Sequence, residues 1–264
     1  MRSRHSGRGP SAHSGRGKGE VGQFICRYRK RGQLRWISHL DLKRTFERAM
    51  RRARLPLVLT RGHNPHPKLS FGPPLPLGVT SDVELLAIRL SEAMEAGQLK
   101  DRLNGQLPDD LEVVETWAVP AYRKKETFGD IEVAQYEVVL KGNLDAADLR
   151  TRLETVLGRR ELIVQRGGER PERTVDLRPL IFSLEVVGSA EDEMGLRMRL
   201  RTGSHGGARP QEVTAVLGLD EEKHVASYHR SGLSALARPF GRSRAAQTRA
   251  WKQAQIRKGG NRRT

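Results

Sequence analysis

At 264 residues the chain is long enough for one large domain or two small ones, and its net charge of +17 points to a polyanionic partner. A single cysteine, Cys26, excludes an internal disulfide framework, a four-cysteine zinc site and an all-cysteine iron–sulfur cluster, and it suits a reducing cytoplasm. No apolar run reaches the roughly 20 residues that span a bilayer, and the first residues lack the apolar centre of a secretory signal, so no membrane role is expected.

The charge is unevenly placed. Residues 1–18 carry five Lys/Arg and residues 238–264 carry nine, with no acid in either stretch. Residues 1–20 and 236–264 therefore read as disordered basic tails. Between them, residues 21–70 hold 13 Lys/Arg against two acids, whereas residues 71–237 are net acidic. The compact basic segment matters most, because its pattern predicts order.

In chain order, FICRYRKRG (24–32) alternates apolar and basic residues as a strand with a basic outer face. Ser38 with Asp41 three residues on marks a helix start of capping-box type. Leu42, Phe46, Ala49, Met50 and Ala53 then recur at helical spacing, Lys43, Arg44, Arg48 and Arg51 cover much of the rest, and Pro56 stops the helix. PLVLTRG (56–62) reads as a short strand and VELLAIRL (83–90) as a buried one. EAGQLKDRLNGQL (95–107) reads as a helix and LEVVETWAV (111–119) as a strand closed by Pro120.

After a linker-like AYRKKETFGD the order recurs. AQYEVVLKG (134–142) is a strand, and Asn143 or Asp145 caps the helix AADLRTRLETVLG. ELIVQRG (161–167), LIFSLEVVG (180–188) and GLRMRLRTG (195–203) are strands. RPQEVTAVLG (209–218) is a short helix and HVASYHRSG (224–232) a last strand. Corresponding elements of the two halves lie about 105–113 residues apart. The expected fold is α+β: two tandem ferredoxin-like βαββαβ units with antiparallel sheets, at 21–120 and 133–235, joined by a linker at 121–132.

Between the basic helix and the third strand runs GHNPHPKLSFGPPLPLG (62–78), with three glycines and five prolines. Proline lacks the N–H that helices and central strands use, so this reads as a rigid loop. Gly62, Pro65, Pro67 and Gly78 are its scaffold. His63, Asn64, His66 and Lys68 are its chemically active members. No phosphate-cradling or dinucleotide glycine motif is present, no nucleophilic triad has a signature, and the histidines lack metal-site spacing, so neither metal nor cofactor is expected. Arg29, Lys30, Arg44, Arg48 and Arg51, with the loop, are expected to lie on one side of the first unit and to hold an RNA backbone, with His63 and His66 stacking on bases. A protein-docking role for Phe71, Leu75 and Leu77 is the alternative, and a ribonuclease using His39, His63 or His66 is a third.

The stretches SHLDL (38–42), GHNPHP (62–67) and PLPLGVTSDVE (74–84), with DLRPL (176–180) and GARP (207–210), resemble in order the radical-SAM-linked protein family, a bacterial family of uncharacterised function. The resemblance covers about residues 22–235. It implies a separately encoded radical SAM protein as partner, this chain being the stand-alone form without its own cluster. The expectation is then a non-catalytic, RNA-binding or substrate-presenting partner of such an enzyme.

Overall fold

The computed structural model describes residues 22–119, 128–167, 173–188, 194–203 and 206–236. The expected tails and most of the expected linker lie outside the described residues.

The first strand, β1 (Gly22–Lys30), is followed by helix α1 (His39–Arg52) and by β2 (Leu69–Phe71) and β3 (Val79–Leu90). Helix α2 (Ala96–Asn104) and β4 (Leu111–Val119) complete the first half. The second half runs β5 (Ile131–Leu140), α3 (Ala146–Gly158), β6 (Ile163–Arg166), β7 (Arg173–Asp176), β8 (Ile181–Gly188), β9 (Met194–Arg201), α4 (Pro210–Val216), α5 (Glu221–His224) and β10 (Val225–Ala235). The fold is α+β with a mostly antiparallel sheet.

Eight strands form one sheet in the order β4-β1-β3-β10-β5-β9-β8, with β2 also paired to β3. The long β3 takes β2 beside Leu86–Ile88 and β10 beside Val79–Ser81. That second contact is the parallel one, and it splices the two halves into one sheet. Each half pairs its strands in the same sequence, fourth to first to third to second.

The expected strand at 56–62 is not the second strand of the first half. Leu57 and Leu59 make only isolated bridges, to Leu90 and Pro67, and the pairing strand is β2, inside the stretch expected to be a loop. The expected strand at 161–167 likewise leaves the main sheet, as β6, to pair with β7. Each half thus carries a small hairpin between its first helix and its next sheet strand.

Helices cover the apolar side of the sheet. Phe24, Cys26 and Tyr28 of β1 meet Leu42, Phe46 and Met50 of α1 in the first core. Tyr136, Val138, Leu149, Leu153 and Val213 build the second. Asp145, rather than Asn143, caps α3, its carboxylate accepting from the Asp148 N–H at 2.7 Å. No described helix is long and apolar enough to cross a membrane.

Candidate functional site

Helix α1 begins where the Ser38 hydroxyl accepts from the Asp41 N–H at 3.1 Å and donates to the Asp41 carboxylate at 2.7 Å. Its apolar stripe is buried, which leaves the basic stripe Arg44, Arg48 and Arg51 facing out at spacings of four and three residues. Arg44 pairs with Asp41 at 3.4 Å, and Lys43 approaches the buried Glu47 at 3.9 Å. Arg48 and Arg51 are exposed and make no ion pair among the described residues.

Beside the end of this helix stands the hairpin of residues 57–68. The Val58 N–H donates to the Arg89 carbonyl of β3 at 3.0 Å, and the Lys68 N–H to the Val58 carbonyl at 2.9 Å. Nearer the tip, the Thr60 N–H donates to the His66 carbonyl at 2.8 Å and the His66 N–H to the Thr60 hydroxyl at 3.0 Å. Gly62 turns the tip with φ +130°, a left-handed value that favours glycine. Pro67 is buried, whereas His63, Asn64 and Pro65 are exposed. The His66 ring lies 3.9 Å from the Glu47 carboxylate of α1. Hairpin and helix together border an open, shallow depression lined by Arg51, Leu55, Leu57, Leu59 and Pro65.

Two of the expected contact residues are elsewhere. Arg29 projects from the face of β1 opposite α1 and pairs with Glu112 at 3.2 Å and Asp82 at 3.6 Å. The cause is the period of two: α1 covers the side bearing Phe24, Cys26 and Tyr28, so Arg27 and Arg29 must face away. Lys30 shares the helix side but is buried, its ammonium donating to the Ile37 carbonyl at 3.4 Å. Burial lowers its pKa, opposed by Glu84. Neither forms one surface with Arg48 and Arg51. On the face of the sheet away from α1 many arginines are paired, as Arg27–Glu115, Arg31–Asp82, Arg197–Glu137 and Arg201–Glu132. Arg48 and Arg51 of α1, beside the hairpin, are the candidate contact residues on α1 that stay exposed and outside any close ion pair among the described residues.

Much of the remaining motif builds a clasp between the halves. Arg230 of β10 is fully buried and bonds Glu84 of β3 through two nitrogens, at 2.8 and 2.6 Å. It also donates to the Pro73 carbonyl at 3.0 Å and the Pro74 carbonyl at 3.4 Å, and its own carbonyl accepts from the Ser81 hydroxyl at 3.1 Å. Burial opposes the guanidinium charge, but Glu84 and Tyr136 outweigh it and raise the Arg230 pKa. Gly78, at φ +76°, closes the PLPLG segment because a Cβ there would come within 2.8 Å of the Trp36 ring.

The three candidate histidines do not converge. His39 packs edge-on against Phe71 at 5.1 Å, while His66 reaches Glu47, two turns and about 12 Å further along α1. Among the described residues no three His, Cys, Asp or Glu side chains are grouped to hold a metal ion. His39 and His229 both have lowered pKa values, first through burial and then, for His39, through Lys30 and Lys43. Below the ordinary imidazole value of 6.5 the unfolded chain binds these protons and the folded chain resists them. Their contribution to stability is thus complete above that value and falls with acidification through the folded values. Denaturant titrations at stepped pH should show this fall, and His39→Gln should make it shallower.

Comparison with known proteins places the chain only at the level of family. No curated protein matches it. Among solved structures, the chain is similar to one in "Crystal Structure of a Cbf5-Nop10-Gar1 Complex", at 12% identity and TM-score 0.42, over 80% of this chain and 48% of that one. A second is in "Crystal structure of the archaeal box H/ACA sRNP Nop10-Cbf5 complex", at 13% identity and TM-score 0.40, over 78% and 46%. The small subunit of acetolactate synthase from Thermotoga maritima gives 11% identity and TM-score 0.25, over 84% and 99%. The chain spans about half the length of the first two, and likenesses this distant carry no argument. The model of one family matches residues 23–210, most of the sheet and all of the α1–hairpin surface, so the chain belongs to the family described as "Uncharacterized protein conserved in bacteria (DUF2344)".

Proposed function

We propose that this is a non-catalytic RNA-binding protein that presents its bound RNA to a separately encoded radical SAM enzyme, and that its two halves, 21–120 and 133–235, are ferredoxin-like units fused edge to edge. The shared pairing order of the halves supports the second part. The single observation that carries the first is the cationic surface itself. Residues 39–68 hold eight Lys/Arg against two acids, one of them the buried Glu47, and Arg48 and Arg51, exposed beside a braced hairpin, make no close ion pair among the described residues, although Asp41 acts on Arg48 at longer range. Phosphates would meet Arg44, Arg48, Arg51 and Lys68, with His63, Asn64 and His66 facing the bases. A hairpin already fixed by its own hydrogen bonds loses little entropy on binding.

The test is the affinity of the full chain for a labelled single-stranded RNA, measured by anisotropy from about 50 to 200 mM salt. Reversing two phosphate contacts with Arg48→Glu/Arg51→Glu should weaken binding and make the slope of log affinity against log salt shallower by about 1.4. An unchanged slope would assign any binding to the tails and reject this surface.

A second reading has its own observation. Trp36 and Leu77 are 58% and 55% exposed and adjoin at Gly78, a pairing suited to docking on a protein. Phe71 and Leu75, expected to share that role, are spent in the two cores instead. Co-purification with a radical SAM protein that survives nuclease and high salt, and is lost on Trp36→Ala, would favour this docking reading.

A further inference from the structure

We infer that the concavity between α1 and the hairpin is the seat of one unpaired nucleobase, so that the protein takes single-stranded RNA in preference to duplex; this rests on the RNA reading above and specifies its ligand. The depression is floored by four apolar residues, Leu55, Leu57, Leu59 and Pro65, with one cation, Arg51, at its edge. Its composition matches a nucleotide, whose base has apolar faces and whose phosphate lies one sugar away. An apolar peptide side chain would fill the walls but leave Arg51 unpaired, and a lone phosphate would leave the walls in water.

Leu59 is the informative residue. It is 47% exposed, yet its backbone is pinned by the bridge to Pro67, so its side chain is held over the concavity without belonging to either core. Scattered exposed leucines need no explanation. This one shares a fixed hairpin arm with Leu57, two residues away and on the same side of the extended chain. Next to Pro65, the exposed Asn64 amide and His63 imidazole have no hydrogen-bond partners among the described residues. Their donors and acceptors are available to the edge of a base resting on the leucines. In an A-form duplex the base faces are stacked inside, and only phosphates, 2′-hydroxyls and groove edges reach a protein. Duplex can meet Arg48 and Arg51 but cannot fill this site.

The experiment compares a labelled 12-mer of oligo(U) with a blunt 12-base-pair RNA duplex, at one salt concentration, on the full chain. Wild type should bind the single strand about tenfold more tightly, in line with one base contact. Leu59→Asn is uncharged and sits on the surface, so it keeps the electrostatics and the core. It should bring single-strand affinity down to the duplex value and leave duplex affinity unchanged. Arg48→Glu/Arg51→Glu should weaken both. If RNA binding depends on Arg48 and Arg51 but Leu59→Asn changes nothing, or duplex binds as tightly as single strand, the base seat is overturned while the RNA reading stands. If the arginine reversals leave both affinities unchanged, both fail. If a poly-glutamate 12-mer binds in a Leu59-dependent manner and oligo(U) does not, the occupant is an acidic protein segment and the inference is overturned.

Discussion

Arg230→Ala is expected to destabilise the protein by about 3–5 kcal/mol, because it removes one partner of a buried ion pair and leaves the other uncompensated. Glu84 is 3% exposed and would be left buried without the guanidinium that pairs with it. The Pro73 and Pro74 carbonyls would lose their donor in the same step. Position amplifies the effect, since the pair lies beside the short parallel splice of β3 to β10. The double variant Arg230→Met/Glu84→Leu removes both charges together and should cost much less than the sum of the two single losses. Cys26 gives a local readout. It is fully buried in the first core, and burial pushes its thiol up to about 12. A thiol reagent should therefore label the native protein slowly. Faster labelling of Arg230→Ala would show that opening the seam also loosens the first half. An unfolding free energy within about 1 kcal/mol of wild type would mean that the clasp is not what holds the halves together.

The clasp also marks how far local sequence reasoning extends. Helix α1 was legible from its stripe, from Ser38 and from Pro56, because each acts within a turn or two. Most sheet strands were legible from alternation. β2 was not: it is three residues long, on the flank of β3, and surrounded by the prolines and glycines that usually mark a loop. The partnership of Glu84 with Arg230 joins residues 146 apart, and no local pattern predicts it. The position of Arg29 is different. The alternation in β1 already required the helix to cover the apolar side, so placing Arg29 on the surface of α1 conflicted with the very pattern that identified the strand. Of the candidate contact residues, those on α1 and the hairpin are brought together, and the two on β1 are not. The apolar walls of the concavity went unread because Leu55, Leu57 and Leu59 look, in sequence, like an ordinary strand.

Phe46→Ala should cost about 3–5 kcal/mol, as for a large aromatic removed from a packed core. Phe46 is fully buried and stacks edge-on against Tyr28 at 5.0 Å and Phe71 at 5.9 Å, so it ties α1 both to β1 and to β2. Leu42 and Met50 flank it on the same stripe and cannot fill its volume without leaving their own sites. Arg48→Ala and Arg51→Ala lie on the other side of the same helix and should stay within about 0.5 kcal/mol of wild type. One helix therefore separates two properties. On the RNA-binding proposal, Phe46→Ala should lower affinity only through the fraction of unfolded chain, with the salt slope of the folded fraction unchanged. The arginine variants should change the slope with the folding midpoint unchanged. If Phe46→Ala cost under about 1 kcal/mol, α1 would not be anchored as described, and the hairpin and basic stripe would have no common frame on which to meet a ligand.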